Sequence, residues 1–227
     1  KKKKFYKPGT KKPTFRSVRP YGIKPDPFPQ RLHTRCKYVH STTLYSDNTV
    51  ARVSGNEHAF RLSSIYDPDY TTALGRTVVG HANFANLYKK YIVKGVKIEV
   101  NFSNPEVDGM VAFCSLNQTS SLGGQNDRTN YENSLVYSSD VNNTGSQVKR
   151  FNFYVKPWSM LGLSKLEWQA NKADHSSAIS ASPSQDIFFR ISTSAAVTPG
   201  KAIHCSLRLI YYVEFFERAQ LTSTVLS

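Results

Sequence analysis

The segment KAIHCSLRLIYYVEFFER, residues 201–218, alternates apolar and polar side chains over most of its length. Such alternation predicts a long β-strand, because successive side chains on a strand point to opposite faces of the sheet. The residues expected to face a core are Ile203, Cys205, Leu207, Leu209, Tyr211, Val213 and Phe215. Those expected to face away are His204, Ser206, Arg208, Tyr212 and Glu214, with Ile210 and Phe216 as apolar exceptions.

The segment YIVKGVKIEVNFSNP, residues 91–105, shows the same alternation and ends in an Asn-Pro turn. Its inward positions are Val96, Ile98, Val100 and Phe102, and its outward positions are Lys97, Glu99 and Asn101. Further strands are predicted over residues 31–46, 57–65, 109–117, 147–155 and 186–192. Residues 165–170 fit either a short strand or a helical turn.

One stretch departs from the strand pattern. In NFANLYKKY, residues 83–91, the apolar side chains of Phe84, Leu87, Tyr88 and Tyr91 recur at helical spacing. We therefore expect a short helix over this stretch, with Asn83 as its N-cap.

Long connections separate the predicted strands, over residues 67–82, 118–146 and 171–185. They are rich in Ser, Asn, Thr, Gly and Asp, which is typical of surface loops. Seven or eight strands joined by such loops favour an all-β domain over residues 31–227, a double-sheet sandwich of jelly-roll type.

Residues 1–30 form a separate segment, a basic arm. Ten of the first 24 residues are Lys or Arg and none is acidic, whereas the remaining 203 residues carry 20 basic and 16 acidic side chains. Six of the eleven prolines also lie in this segment, which favours an extended or disordered chain. An unopposed cationic terminus is typical of nucleic-acid-binding tails, and the alternatives are a solubility tail or a nuclear-import signal.

The arm supplies most of the candidate nucleic-acid-binding residues. They are Lys1, Lys2, Lys3, Lys4, Lys7, Lys11, Lys12, Arg16, Arg19 and Lys24, with Phe5 and Tyr6 as rings that can stack on bases. Arg31, Arg35 and Lys37 share one face of the first strand and would extend this surface. Their alternative role is that of an ordinary solvated strand face.

Aromatic side chains in and around the long loops are candidates for contacts between subunits, because such interfaces favour aromatic residues. The candidates are Tyr66, Tyr70, Tyr131, Tyr137 and Trp158. Trp168 is as well suited to a core position. Asp67 and Asp69 could bind a cation between subunits, although a DPD sequence more often forms only a turn.

The sequence contains no pattern typical of an enzyme. The six His form no HExxH or zinc-spaced cluster, and neither a GxSxG elbow nor a phosphate-binding GxxxxGK[ST] loop is present. Cys36, Cys114 and Cys205 are too far apart for a CxxC pair and are expected to be buried free thiols. We therefore expect no catalysis, no cofactor and no metal site. The sequence contains no run of 18 apolar residues, so it predicts no membrane-spanning segment.

Several segments together resemble the capsid proteins of circular, Rep-encoding single-stranded DNA viruses, the circovirus-like group. The segments are SSIYDPD (63–69), the Tyr88, Tyr91 and Val93 spacing, KIEVNF (97–102) and the last strand LRLIYYVEFFE. The basic arm also fits this group, although circovirus arms are dominated by Arg and this one is Lys-rich.

The resemblance implies a single jelly roll of two four-stranded antiparallel sheets, with about sixty copies in a T=1 icosahedral shell. It also implies a packaged single-stranded DNA genome, assembly in the host nucleus, and outer loops that contact a host-cell receptor or glycan. A jelly-roll coat protein of a small RNA virus or satellite remains an alternative, and a carbohydrate-binding jelly-roll module is a further one.

Overall fold

The fold is described by a computed structural model over residues 29–49, 56–72, 76–105, 108–118, 134–138, 147–195 and 198–219. Of residues 134–138 and 147, only the backbone is described. Most of the basic arm, residues 1–28, lies outside the described residues, as does the candidate Tyr131.

The described chain consists of nine strands and four short helices. The strands are β1 (Leu32–Tyr45), β2 (Glu57–Arg61), β3 (Tyr88–Asn104), β4 (Met110–Asn117), β5 (Ser134–Ser138), β6 (Gln147–Val155), β7 (Ser177–Ala178), β8 (Phe188–Ala195) and β9 (Ala202–Arg218). The helices are α1 (His81–Ala85), α2 (Pro157–Met160), α3 (Lys165–Ala170) and α4 (Lys172–His175). None of these helices is long and apolar enough to cross a membrane.

Two antiparallel sheets pack face to face. One has the order β1-β9-β3-β6, with the two-residue β7 paired to the start of β3, and the other has the order β2-β8-β4-β5. The chain passes from one sheet to the other at β1 to β2, β2 to β3, β3 to β4, β5 to β6, β7 to β8 and β8 to β9. This repeated crossing between two four-stranded layers is the jelly-roll topology, which confirms the predicted fold class.

The two most strongly alternating segments are the central strands of the first sheet. β9 and β3 pair in register from Tyr88 opposite Arg218 to Ser103 opposite His204. Every residue predicted to face inward from either strand is buried. Glu214 points away from the core, as predicted, but it is itself buried, because the chain of α2 to α4 covers that end of the sheet.

The predicted helix over 83–91 is shorter and earlier than expected. α1 ends at Ala85, its N-cap is Gly80 rather than Asn83, and Tyr88 and Tyr91 belong to β3. The helical spacing arises because the pattern spans two elements: Phe84 of α1 and Tyr88 of β3 both pack against the Phe215 ring, at 4.6 and 5.9 Å between ring centroids, and Tyr91 of β3 is also buried. A bulge at Lys94 follows, where the register with β9 shifts between Val93 and Gly95.

Other predicted elements are close to their observed bounds. Residues 147–155 form β6 as predicted, whereas the segment 57–65 is a strand only as far as Arg61. β5 lies inside the segment predicted to be a loop, and residues 165–170 form helix α3 with a capping box between Ser164 and Glu167. The three cysteines are free and buried, as expected.

Aromatic side chains and the hydroxyl of Tyr211 connect the two sheets across the core. Tyr38 of β1 lies 6.4 Å from Phe60 of β2, and Phe153 of β6 lies 5.9 Å from Phe189 of β8, measured between ring centroids. Tyr211 of β9 is fully buried, and its hydroxyl donates a 2.7 Å hydrogen bond to the Arg61 carbonyl of the opposite sheet. Burial raises the pKa of Tyr211 well above its ordinary value, so the hydroxyl remains a donor.

We predict that Tyr211→Phe lowers the free energy of unfolding by about 1–2 kcal/mol, because the Arg61 carbonyl loses a buried donor. Urea denaturation followed by tryptophan fluorescence measures this difference. Tyr45→Phe is the matched control, since the Tyr45 side chain is 50% exposed, and its unfolding should be unchanged. Equal stability of both variants would show that the hydroxyl does not hold the sheets together.

Candidate nucleic-acid interface

The root of the arm is fixed to the first sheet. The Tyr88 hydroxyl donates a 2.9 Å hydrogen bond to the Pro29 carbonyl, and the Arg31 guanidinium lies 3.9 Å from the Glu214 carboxylate. Tyr88 begins β3 and Glu214 lies near the end of β9, so the arm meets the domain at one end of this sheet. The arm cations Lys1–Lys24 lie outside the described residues, and their role stays a prediction.

The outer face is defined here as the side of the β1-β9-β3-β6 sheet that points away from the core. Arg35 and Lys37 are exposed on it, as predicted from the alternation in β1. The register places Lys37 and Lys97 on either side of Ile210, and Arg35 opposite Tyr212. Arg35 and Lys37 therefore lie on the edge strand β1, and Ile210 of β9 separates Lys37 from Lys97 of β3.

The centre of the outer face is a shallow depression of about 470 Å³. Glu99 accepts contacts from Lys97 at 2.7 Å and from Arg208 at 3.0 Å, while Arg150 donates to the Asn101 side chain at 2.9 Å. The hydrogen bond from Lys97, with the charges of both cations, lowers the pKa of Glu99 below its ordinary value. One carboxylate thus holds two cations in place, and Arg150 is held by a neutral amide.

A second charged group lies where the arm joins the sheet. The buried carboxylate of Glu214 accepts a hydrogen bond from the Lys172 ammonium group and lies 2.9 Å from the Lys94 ammonium group. The Arg31 guanidinium lies nearby. Burial alone raises the pKa of Glu214, but the hydrogen bonds from Lys172 and Lys94 outweigh it and lower the pKa to about 2. Glu214 is therefore a fixed anion with more cations around it than it can neutralise.

A pocket of about 440 Å³ lies next to this group and combines cations with aromatic rings. The residues that line it include Arg31, Lys94, Lys165, Tyr154 and Trp158. Trp158 is half-buried and its ring lies 6.4 Å from that of Trp168. A base can stack on an exposed ring while neighbouring cations bind the phosphates, so the pocket has the composition of a single-stranded nucleic-acid site.

Sequence reasoning did not assign the cations that the fold adds to Arg31, Arg35 and Lys37. They are Lys94, Lys97, Arg150, Arg208 and Lys165. The alternation already indicates that Lys97 and Arg208 point outward, but not that their strands are neighbours.

The candidate interface residues that the structure describes lie in different places. Tyr66 and Tyr70 are 39% and 43% exposed, and each packs one side of its ring, against His81 and Phe188 respectively. Trp158 lies at the pocket beside the arm root. Of Tyr137 only the backbone, in β5, is described. Their role between subunits stays a prediction.

Asp67 and Asp69 do not share a site. Asp67 pairs with Arg61, which also contacts Asp186 at 3.0 Å, whereas Asp69 turns towards His40. The amides of Tyr66 and Asp67 donate to the Ser64 hydroxyl, so this segment is a polar turn. The two carboxylates therefore cannot bind one cation together in this conformation.

No protein-family model matches the sequence, and no curated protein matches it. Solved structures similar to it include a 60-mer of the BFDV capsid protein, at 11% identity and a TM-score of 0.44, covering 87% of this chain and 100% of that one. A Macrobrachium rosenbergii nodavirus semi-empty particle is similar at 10% identity and a TM-score of 0.47, covering 96% and 98%. Desmodium yellow mottle tymovirus is similar at 12% identity and a TM-score of 0.39, covering 91% and 99%.

We predict that Glu214→Gln removes stability that depends on pH. Because the pKa of Glu214 in the folded protein is about 2, below its ordinary 4.5, its contribution is complete above pH 4.5 and is lost as the pH falls towards 2. The variant should lose about 1–3 kcal/mol of unfolding free energy at pH 7 and much less at pH 3. Urea denaturation at both pH values measures the difference.

Glu217→Gln is the matched control for this experiment. Glu217 pairs with Lys90 at 2.8 Å, but both side chains are about half exposed, so the substitution should change stability little at either pH. A Glu214 variant whose loss is the same at pH 7 and pH 3 would contradict the assigned charge.

Proposed function

We propose that this chain is a viral capsid protein that assembles into a small icosahedral shell and packages single-stranded DNA. The observation that carries the proposal is the position of the arm root. An unopposed cationic arm joins a jelly-roll domain at Pro29–Arg31, at the end of the sheet that carries the basic outer face. The arm and the outer face would then act on the same side of a shell, its interior.

The chemistry required for packaging is charge neutralisation and not base reading. Each phosphate-bound cation releases condensed counterions, so affinity is largely entropic and falls with salt. In a shell of about sixty copies, arms that each carry ten Lys or Arg side chains would present on the order of 600 positive charges. Arg31, Arg35 and Lys37 would continue the path of the nucleic acid from the arm onto the sheet, and Phe5 and Tyr6 would stack on bases.

The choice of single-stranded DNA is supported by the sequence resemblance to circovirus-like capsid proteins. The resembling residues Ser63 to Asp69 form the polar turn, and Tyr88, Tyr91 and Val93 begin the central strand β3. The fold by itself suits RNA virus coat proteins equally. Typing the packaged nucleic acid with DNase and RNase separates the two.

Assembly would use the surfaces that the sheets leave open. Tyr66, Tyr70 and Trp158 offer partly exposed rings for contacts between copies, and the long loops would form the outer surface that meets a host receptor or glycan. The mature protein would reside in the virion, after assembly in the host nucleus.

We predict that deletion of residues 1–24 abolishes packaging without abolishing assembly. The variant should form shells of unchanged diameter by negative-stain microscopy, with the absorbance ratio of protein alone at 260 and 280 nm. Full-length shells should carry nucleic-acid absorbance. Full-length protein that stays a nucleic-acid-free monomer at all salt concentrations would overturn the capsid function and favour a carbohydrate-binding module.

We predict that Arg35→Gln with Lys37→Gln weakens binding to a fluorescent oligo(dT) and reduces its salt dependence. Removing two phosphate contacts should lower the slope of log K against log salt by about 1.4. Fluorescence anisotropy over a salt series measures the slope. Lys201→Gln is the control, because Lys201 contacts Asp108 at 3.1 Å and lies just before β9, at the far end from Glu214. An unchanged slope in the double variant would exclude these residues.

A further inference from the structure

Three residues from separate segments meet where the two sheets face each other. His40 lies on β1, His58 lies on β2, and Asp69 lies in the polar turn, where it forms an isolated bridge with Phe60. One donor atom from each of the three lies within 4.8 Å of the other two. The His40 Nδ1 and Asp69 Oδ2 atoms are 3.6 Å apart.

One imidazole nitrogen of each histidine in this group lacks a hydrogen-bond partner. The Nε2 atom of His40 and the Nδ1 atom of His58 are buried and make no hydrogen bond. Such buried polar atoms are rare in folded proteins, because each loses its hydration without compensation. Each such nitrogen has a lone pair or a proton without a partner and is available as a ligand atom for a metal ion.

Neighbouring groups already hold the ligand atoms in orientation. The Oδ1 atom of Asp69 accepts the amides of Thr71 and Thr72 at 3.1 and 3.3 Å, which leaves Oδ2 facing His40. The Nε2 atom of His58 lies 3.2 Å from the Thr42 hydroxyl, which leaves Nδ1 as its free nitrogen. Bonds of this kind, made by the atom that does not bind the metal, fix the ligands of protein metal sites.

The distances between the three ligand atoms fit a small metal ion if the side chains move slightly closer together. Zinc bonds of about 2.0–2.1 Å in a tetrahedron place two ligand atoms about 3.3 Å apart. The His40 Nδ1 and Asp69 Oδ2 atoms, at 3.6 Å, are near this value, and since all three ligand atoms lie within 4.8 Å of one another, no pair must close by more than about 1.5 Å. The His40 side chain is 20% exposed, which gives an ion a path to the group. Asp69 is only 1% exposed, so protein groups and not solvent surround its side chain.

We propose that His40, His58 and Asp69 form a binding site for a divalent transition metal of the zinc class. Two imidazole nitrogens with one carboxylate oxygen favour zinc, cobalt, nickel or copper over calcium and magnesium, which prefer oxygen ligands alone. The ion would join β1 of one sheet to β2 of the other, because the two histidines lie on those strands. Its fourth position is free for water. The site does not depend on the packaging of nucleic acid.

The sequence did not reveal this site, because metal-binding motifs are recognised by ligands at short, regular spacing along the chain. Here the strand pairing of two different sheets and the turn after β2 bring the three side chains together. The sequence predicted no metal site, and this site also differs from the less favoured possibility of a cation between Asp67 and Asp69, since only Asp69 takes part and its partners are histidines.

The test is a titration of untagged, chelator-treated full-length protein with Co²⁺, followed by displacement with Zn²⁺. We expect one Co²⁺ per chain, with the visible absorption of a tetrahedral nitrogen and oxygen site, and its loss when Zn²⁺ is added. His58→Ala should weaken binding at least about tenfold. Asp69→Asn should do the same, and it keeps an oxygen for the Thr71 and Thr72 amides, so its fold is expected to survive.

His204→Ala is the matched control, because His204 is exposed and its Nδ1 atom contacts only the Thr43 hydroxyl among described groups, at 3.0 Å. It should bind Co²⁺ like the parent, and Zn²⁺ should raise the melting temperature of both but not that of Asp69→Asn. Circular dichroism verifies that each variant is folded. Absence of saturable binding, or equal binding by the parent and the folded Asp69→Asn variant, would overturn the proposal.

Discussion

The antiparallel pairing of β3 with β9 is the constraint on which the rest of the structure depends. Both strands are 17 residues long, and each presents a continuous apolar side to the opposite sheet. Because they are central, β1 and β6 can only add to their free edges, and the second sheet must cover their apolar side. The outward side of the same pair carries Glu99, Lys97 and Arg208, so one pairing sets both the core and the charged surface.

The positions of the charged side chains depend on which of them are buried as well as on how many there are. Glu214 is buried and ionised because Lys94 and Lys172 reach it, and this anion holds Arg31 where the arm begins. The domain therefore fixes the root of an arm whose first 24 residues contain no acidic side chain. In the proposed capsid, that anchor directs the arm cations and the outer face towards the same nucleic acid.

The alternation of apolar and polar residues correctly predicted those strands in which it continues without interruption. The alternation in β9, the inward set of β3 and the bounds of β6 follow from period two, since each is a strand with one buried side. The helix over 83–91 was wrong because its apolar pattern spans the end of α1 and the start of β3, where Phe84 and Tyr88 pack against the same Phe215 ring. β5 was missed because its segment is short and lies in a polar stretch, where periodicity is weak.

The sequence by itself determined that the chain is a β-sandwich with a cationic arm, because alternation and net charge are properties of residues near one another in the chain. It also determined which side of β1, β3 and β9 points outward. Only the tertiary structure decided which outward residues are neighbours, as in the Glu99 depression and the Glu214 group. The same holds for His40, His58 and Asp69. These sets assemble across strands far apart in sequence, so the packing of the two sheets fixes them, not the spacing along the chain.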